Sequence, residues 1–260
     1  MNEYGVDSLQ LSAGQLITQA QIDLIEYLIL KAGVYSSVPS DVNTPGFFNQ
    51  TFTTFQYVVP SIQLMKQNNK PTGVYFFSYA WSAAAAQYEA TLACDALDQW
   101  AEKPDFPIFL DWEKTGNTSP PSAMGAYEAL IAAGITPTTQ IVQDVTDAWM
   151  NTLLARGYVP GLYTGGALAG DLFTDAFLQN RRAQGLYFWE AAYNNYGPMH
   201  SCDIWQYSDN GNLLGVTVDE NRIRDDRIWD IPHPQHGIPI WLKLYIAQRG
   251  EKNYGRTILL

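Results

Sequence analysis

Short runs of apolar residues, each bounded by turn-forming residues, recur along this chain. Each of the first five is four to eight residues long, which is typical of strands covered on both faces. They are YGVD (4–7), YLILKAG (27–33), GVYFFSYA (73–80), PIFLDWE (107–113) and PGLYTG (160–165). The pattern predicts five buried β-strands between residues 4 and 165.

Longer stretches with helical composition lie between most of these strands. Ser82 stands in N-cap position before an Ala- and Leu-rich segment, Gly157 ends another segment, and Pro60 is expected to kink or cap a third. The segments are FQYVVPSIQLMKQNN (55–69), SAAAAQYEATLACDALDQWAE (82–102), TTQIVQDVTDAWMNTLLARG (138–157) and DLFTDAFLQNRRAQG (171–185). Strands that alternate with helices indicate β/α units and a parallel sheet.

The alternation stops after residue 185. Three strand-like runs follow, LYFWEAAY (186–193), CDIWQYS (202–208) and GVTVDEN (215–221), and only short turn-rich pieces separate them. The chain therefore predicts an α/β fold of five β/α units followed by three strands, and eight strands are enough to close a barrel. Residues 114–137 are expected to form a long loop with a short helix, and GGALAG (165–170) a turn that begins a helix.

Composition narrows the function classes. The 260 residues carry a net charge of −11 with a pI near 4.6, which disfavours nucleic acid and anionic membrane as partners because phosphate binding requires a basic face. No apolar run approaches the roughly 20 residues that span a bilayer. Cys94 and Cys202 form no zinc spacing and no disulfide framework, so we interpret both as structural, reduced thiols.

The two ends of the chain differ from its middle. MNEYGVDSLQ has no basic or apolar leader region, so we expect synthesis in the cytoplasm without a signal peptide. Residues 1–220 carry 8 Lys and Arg against 22 Asp and Glu, whereas residues 221–260 carry 7 against 4. We predict a barrel over residues 1–230 and a linker and tail of unknown role over 231–260, where His233 and His236 indicate a solvated linker rather than a metal site.

Four acidic residues stand at or near the ends of predicted strands. Asp111 and Glu113 are two positions apart, so in a strand they share one face with Cα atoms about 6.5–7 Å apart. Asp7 ends YGVD and Asp219 ends VTVD. Because active sites of α/β barrels lie at the C-terminal ends of the strands, these four carboxylates are expected to converge on one mouth. Any one of them alone is more typical of a solvated face, a turn or a helix cap.

Aromatic residues accompany these acids. Tyr75, Phe77 and Tyr79 alternate along one predicted strand, and Trp189 and Tyr193 follow another. Carboxylates among aromatic rings are typical of a carbohydrate cleft, and clustered like charges raise the pKa of at least one carboxyl, as a general acid requires. We predict Tyr75, Tyr79, Trp189 and Tyr193 as substrate-binding residues, although a single Tyr75 or Trp189 is more often a core residue.

The order of these motifs resembles the family 25 glycoside hydrolases, the lysozymes of phage endolysins and bacterial autolysins. YGVDSLQ, LILKAG, GVYFFSYA, PIFLDWE, PGLYTG and IWQYSDNG followed by VTVDEN carry the resemblance over residues 4–221. It implies a (β/α)5(β)3 barrel and hydrolysis of the β-1,4 bond between N-acetylmuramic acid and N-acetylglucosamine. It also implies Glu113 as general acid, Asp7, Asp111 and Asp219 as supporting acids, and no cofactor or metal.

The resemblance further implies a phage or prophage endolysin that reaches the cell wall after release. The net positive charge of the C-terminal residues makes the tail a possible contact to wall polymers. Two positions depart from the usual pattern, since Ser8 follows Asp7 directly and Glu190 follows Trp189. Both bear on the shape of the sugar subsites. The alternatives are a catalytically silent carbohydrate-binding barrel and a chitinase-like hydrolase, although the longer chitinase motif D-x-x-D-x-D-x-E is present only in its last two acids.

Overall fold

The computed structural model describes residues 4–8, 16–35, 52–117, 125–132, 134–194 and 196–231. In these ranges nine strands form one sheet: β1 (Tyr4–Ser8), β2 (Tyr27–Tyr35), β3 (Phe52–Thr54), β4 (Thr72–Phe77), β5 (Ile108–Asp111), β6 (Pro160–Gly165), β7 (Tyr187–Ala191), β8 (Ile204–Leu213) and β9 (Val216–Ile223). Eight of them close into a barrel because β1 pairs with both β2 and β9, while β3 pairs antiparallel on the outside of β2. The strands β1, β2 and β4 to β8 run parallel, and β9 is antiparallel to both of its neighbours.

The helices lie in the connections that precede β7. They are α1 (Gln19–Ile22), α2 (Val58–Gln67), α3 (Ala83–Gln99), α4 (Ala126–Ala132), α5 (Thr139–Ala155), α6 (Gly166–Leu172) and α7 (Asp175–Ala183). In the described part of the chain, no helix separates β7 from β8 or β8 from β9. The predicted (β/α)5(β)3 barrel is therefore confirmed.

The caps expected from the sequence set the helix boundaries. The Ser82 hydroxyl accepts a hydrogen bond from the Ala85 N–H at 3.2 Å, as predicted, and Thr138, which the sequence did not single out as a cap, caps α5 in the same way. Gly157 follows α5 with a φ of +77°, a left-handed conformation that favours glycine. Thr174 caps α7, so the predicted helix over 171–185 begins later than expected and its first residues belong to α6.

Two strands differ in length from their predictions. β4 ends at Phe77, so Tyr79 lies beyond the strand and does not continue its alternation. β8 and β9 instead extend past their predicted ends and meet in a hairpin, whose two-residue turn is Leu214-Gly215. Both turn residues have positive φ, as a type I′ turn requires. The longer hairpin raises the wall of the barrel mouth beside β1.

The core has two layers. The larger one packs apolar side chains of the strands against the helices, and both thiols, Cys94 and Cys202, are buried and free. The smaller one fills the barrel interior, where the rings of Tyr27, Phe106 and Trp229 contact each other. Trp229 belongs to a 3-10 helix (Asp226–Asp230) after β9, and Ile231 packs into the same layer.

Residues 232–260, which include the predicted tail and both of its histidines, lie outside the described residues. Among the described helices, none is long and apolar enough to cross a membrane.

Candidate active site

The four predicted acids meet at the C-terminal end of the parallel strands. Asp7 in β1 lies opposite Asp219 in β9, because the two strands pair in that register. Asp111 ends β5, and Glu113 lies two residues past the strand end rather than within the strand. Between them, Trp112 is buried and donates its indole N–H to the Ala80 carbonyl at 2.8 Å, which anchors this strand end to the segment after β4.

Asp7 and Asp219 form one side of the cluster. Burial and the charge of Asp219 raise the pKa of Asp7 well above its usual range, although hydrogen bonds from Asn221 and Gln206 oppose the shift. Burial, helped by the charge of Asp209, raises the pKa of Asp219 to about 6. Asp7 is therefore a buried acceptor, whereas Asp219 ionises below neutral pH.

Asp111 and Glu113 form the other side. Burial and the neighbouring Glu113 raise the pKa of Asp111 well above its usual range. Burial also raises the pKa of Glu113 to about 7, and the charges of Glu128 and Asp219 act in the same direction. Lys31 in β2 opposes both shifts, and its ammonium group lies 4.9 Å from the centre of the Phe77 ring. Glu113 thus holds a proton close to neutral pH, as a general acid must.

A chain of hydrogen bonds orients Asp7 and Asp219. The hydroxyls of Tyr163 and Tyr193 both donate to Gln206 Oε1, at 2.8 and 2.6 Å, which directs the amide nitrogen toward the acids. Gln206 Nε2 donates to Asp7 Oδ1 at 3.0 Å and reaches Asp219 Oδ2 at 3.4 Å. Asp7 Oδ1 also accepts from Asn221 Nδ2, at 2.5 Å. The network supplies donors to the carboxylates without adding a positive charge.

The predicted aromatic residues divide by exposure. Trp189 is 1% exposed, packs against the rings of Tyr75 and Tyr163, and donates its indole N–H to Asn221 at 2.8 Å. Tyr75 and Tyr79 are also buried, whereas Tyr193 is 52% exposed. Trp189 and Tyr75 therefore support the acids from below and offer no open ring face to a sugar, while Tyr193 offers one beside the cluster.

Two buried glutamates hold the loops around the mouth. Glu89 in α3 accepts from the Ser78 hydroxyl at 2.5 Å and from the Tyr79 N–H at 3.2 Å, and burial raises its pKa to about 8. Glu128 in α4 accepts from the backbone N–H groups of Thr115, Gly116 and Gly125, at 3.1, 2.8 and 3.1 Å. Glu89 thus fixes the segment after β4, and Glu128 fixes the loop that follows Glu113.

A pocket of about 370 Å³ opens beside Glu113. Its lining includes Tyr163, Tyr193 and the backbone of Gly165 and Gly166, so it lies between β5, β6 and the segment after β7. Its volume falls in the range of small-molecule sites. The described residues contain no group of three or more His, Cys, Asp or Glu side chains that could hold a metal ion.

Several of these residues were not predicted from the sequence. Gln206 and Asn221 are polar residues within strand-like runs, and Lys31 is the one charged residue in YLILKAG. A charged or amide side chain inside an apolar strand was the available signal, because such a group is costly to bury without a partner. Glu89 and Glu128 lie in helices and carried no comparable signal.

A closed (β/α)5(β)3 barrel whose mouth carries four carboxyls with raised pKa values is the arrangement expected of a glycoside hydrolase. The sequence profile of glycosyl hydrolases family 25 matches residues 51–216, which is more than half of the chain. The chain belongs to this family. The matched range includes Asp111 and Glu113, whereas Asp7 and Asp219 lie outside it and join the site through β1 and β9. A search of curated proteins by sequence finds no significant match.

Solved structures share the fold at low sequence identity. The modular autolysin LytC from Streptococcus pneumoniae is 17% identical, with a TM-score of 0.60 over 84% of this chain and 46% of its own length. The spore cortex lytic enzyme SleM from Clostridium perfringens is 18% identical, with a TM-score of 0.59 over 85% and 67%. The CTP1L endolysin is 19% identical, with a TM-score of 0.61 over 89% and 69%. The chain thus spans less than half the length of LytC.

Proposed function

We propose that this chain is a peptidoglycan hydrolase that cleaves the β-1,4 bond between N-acetylmuramic acid and N-acetylglucosamine. The observation that carries the proposal is Glu113, a partly buried carboxyl with a pKa near 7 beside three further acids at a barrel mouth. Membership of family 25 and the presence of all four acids favour a hydrolase over a silent carbohydrate-binding barrel. The incomplete chitinase motif disfavours chitin as substrate.

Glu113 is the proposed general acid. Its proton passes to the oxygen of the bond that breaks, so the leaving sugar departs as an alcohol rather than an alkoxide. Positive charge develops at the anomeric carbon as that bond breaks. The three aspartates surround this position from β1, β5 and β9, and Asp219, which ionises near pH 6, supplies negative charge that stabilises it.

The aspartates have separable roles in this proposal. Asp111 has one carboxyl oxygen that is buried and makes no hydrogen bond to the described residues. An acetamido N–H of the substrate is the type of donor that this oxygen lacks, which supports a role for Asp111 in orienting the N-acetyl group as nucleophile. Asp219, which ionises near pH 6, is the better candidate for stabilising the oxocarbenium charge or activating water. Asp7 holds the cluster through Gln206 and Asn221.

Peptidoglycan as substrate draws support from the structural neighbours. LytC has been solved with a synthetic peptidoglycan ligand, and CTP1L is an endolysin. We further propose that the chain acts as a bacteriolytic phage or prophage endolysin, made in the cytoplasm and active on the wall after release. The basic tail would then contact anionic wall polymers.

The direct test is incubation of the protein with purified cell walls and, separately, with chitin, followed by measurement of new reducing ends. Borohydride reduction of the products identifies the sugar at the new end, and muramitol is expected. Glucosaminitol from walls would assign the other glycosidic bond. New reducing ends from chitin alone would establish the chitinase-like alternative. If neither polymer gave new reducing ends, the catalytically silent carbohydrate-binding barrel would be the remaining alternative.

A further inference from the structure

The pocket beside Glu113 has one wall built by the segment that follows β7. Tyr193, Asn194 and Met199 line it, and the side chains of Tyr193 and Met199 are more than half exposed. The opposite wall is Gly165-Gly166 at the start of α6, where no side chain reduces the space. This is the GGALAG turn of the sequence. Gly166 allows it to pack closely on the end of β7, because a Cβ there would lie 3.0 Å from the Ala191 carbonyl oxygen and 3.3 Å from Glu190 Oε1.

Glu190 holds this wall in place. Its buried carboxylate accepts the N–H of Met199 at 2.5 Å and the N–H of His200 at 3.1 Å. The His200 ring in turn lies 2.6 Å from Asp175 Oδ1 and 3.2 Å from the Ala169 carbonyl. The unusual acid after Trp189 therefore has a structural role, which is to tie the pocket wall to α6 and α7.

Lys114 supplies the only positive charge among the described residues that line this pocket, and apart from the phenols Glu113 is the only other ionisable side chain there. Its ammonium group lies 4.7 Å from the centre of the Tyr127 ring, and its backbone belongs to the loop that Glu128 holds. Lys114 is exposed and forms no ion pair with a described residue.

Lys114 is a positive charge at an acidic barrel mouth. The mouth carries Asp7, Asp111 and Asp219, and residues 1–220 carry 14 more acidic than basic residues. An anionic glycan would be repelled from such a surface unless a cation received its charge. Muramic acid bears a lactyl carboxylate, or a peptide with its own carboxylates, whereas N-acetylglucosamine bears neither. Lys114 is placed to distinguish the two sugars.

We propose that Lys114 binds a substrate carboxylate, which makes the pocket beside Glu113 the subsite for a carboxylate-bearing muramoyl group and Lys114 a residue that determines specificity. This inference rests on the proposed function, because it assumes a glycan that contains muramic acid. The carboxylate has two sources, the free lactyl group of a peptide-free strand and the stem peptide of an intact one.

The test uses the full chain and two soluble glycans, strands freed of peptide and strands that retain it, each compared with its own methyl ester. The wild type should have a lower KM for the acid than for the ester. Lys114→Gln should reduce this preference by about two- to fivefold at low salt, as expected for one exposed ion pair of roughly 0.4–1 kcal/mol. Lys114→Arg should restore it, and 0.5 M salt should diminish it in the wild type.

Arg224→Gln is the matched control, because Arg224 is also an exposed cation over an aromatic ring, that of Trp205, but lies past the end of β9, at the opposite end of the barrel from the pocket and from Glu113. It should leave the acid-to-ester preference unchanged. If Lys114→Gln reduces the acid-to-ester preference only on peptide-free strands, Lys114 binds the lactyl carboxylate. If it reduces the preference only on peptide-bearing strands, Lys114 binds a carboxylate of the stem peptide.

Equal KM values for acid and ester in the wild type, or a preference that survives in Lys114→Gln, would overturn the inference while the hydrolase remains. Failure of the wild type to cleave any of the four strands would instead overturn the proposed function. Thermal unfolding of each variant separates loss of charge recognition from loss of fold.

Discussion

Buried acids occupy both ends of this barrel, and their surroundings differ. At the end remote from the mouth, Asp203 is fully buried and accepts hydrogen bonds from Arg182, Arg227 and the Phe188 N–H. Asp225 contacts Arg182 as well, at 2.7 Å. At the mouth, the charge of Lys31 acts on Asp111 and Glu113, whereas Asp7 receives hydrogen bonds from the uncharged donors Gln206 and Asn221.

The difference indicates that the buried acids at one end of the barrel stabilise the fold, whereas those at the mouth are suited to proton transfer. Where arginines surround Asp203, the charges are compensated and the carboxylate joins β7, β8 and the 3-10 helix. Where carboxyls face one another, burial and like charge raise the pKa values of Asp7 and Asp111 well above their usual range, and burial raises those of Asp219 and Glu113 to about 6 and about 7. Buried carboxyls without a paired arginine thus distinguish the end of the barrel that carries the candidate active site.

Glu113→Gln should have the largest effect, because the amide keeps the shape of the side chain but cannot donate the proton. We expect kcat on cell walls to fall by roughly 10²–10⁴-fold, the usual contribution of a general acid. The melting temperature should not fall, since the substitution removes an ionisable group from a cluster of like charges. Retention of more than about a tenth of the activity would contradict the assigned role.

Asp203→Asn tests the compensated end. It leaves Arg182 and Arg227 without their shared buried partner, and we expect a loss of about 3 kcal/mol in the free energy of unfolding. Denaturant unfolding followed by circular dichroism measures it, and kcat of the folded fraction should remain close to that of the wild type. A stability close to wild type combined with a lower kcat would reverse the comparison between the two ends.

Asp219→Asn should change the pH profile more than the fold. In the wild type, kcat/KM should rise as Asp219 ionises near pH 6 and fall as Glu113 loses its proton near pH 7. The variant lacks the group responsible for the acid limb. Its alkaline limb should move to lower pH, because the negative charge that helps Glu113 to retain its proton is gone.

We also expect kcat of Asp219→Asn to fall about tenfold with a smaller change in KM, as the loss of roughly 1.4 kcal/mol of transition-state stabilisation implies. Asp111→Asn should likewise lower kcat more than it raises KM. If either variant changed only KM, that aspartate would be a binding group.

Removal of residues 232–260 should have the smallest effect on catalysis. The cut leaves Ile231 in the interior layer, and the removed segment carries four Lys and Arg against one Glu. The shortened protein should stay folded and cleave soluble wall fragments at the rate of the full chain. Clearing of intact cells should fall severalfold in a salt-sensitive way, because the lost contact is electrostatic. Insoluble protein would show that the tail completes the core or an oligomer interface.

The order of strands and helices follows from the sequence alone, because apolar runs, N-caps and terminal glycines are local signals. Ser82 and Thr138 begin their helices as expected. The sequence also indicated that Asp7 and Asp111 would meet at one edge, since both stand at or near the ends of parallel strands. Asp219 instead lies within the antiparallel strand β9 and reaches that edge by pairing with Asp7. The sequence placed Glu113 within the strand, whereas in the structure it lies two residues past the end of β5.

The role of each side chain in the active site depends on the tertiary structure. Trp189 and Tyr75 are buried beneath the acids, Gln206 turns its amide toward Asp7, and Lys114 reaches the pocket beside Glu113. Alternation along a strand says which face a residue occupies. It does not say whether that face is filled by other rings or open to solvent, nor which distant residue completes a hydrogen bond. Those outcomes depend on contacts between strands far apart in the chain, such as Asp7 and Gln206, which are 199 positions apart.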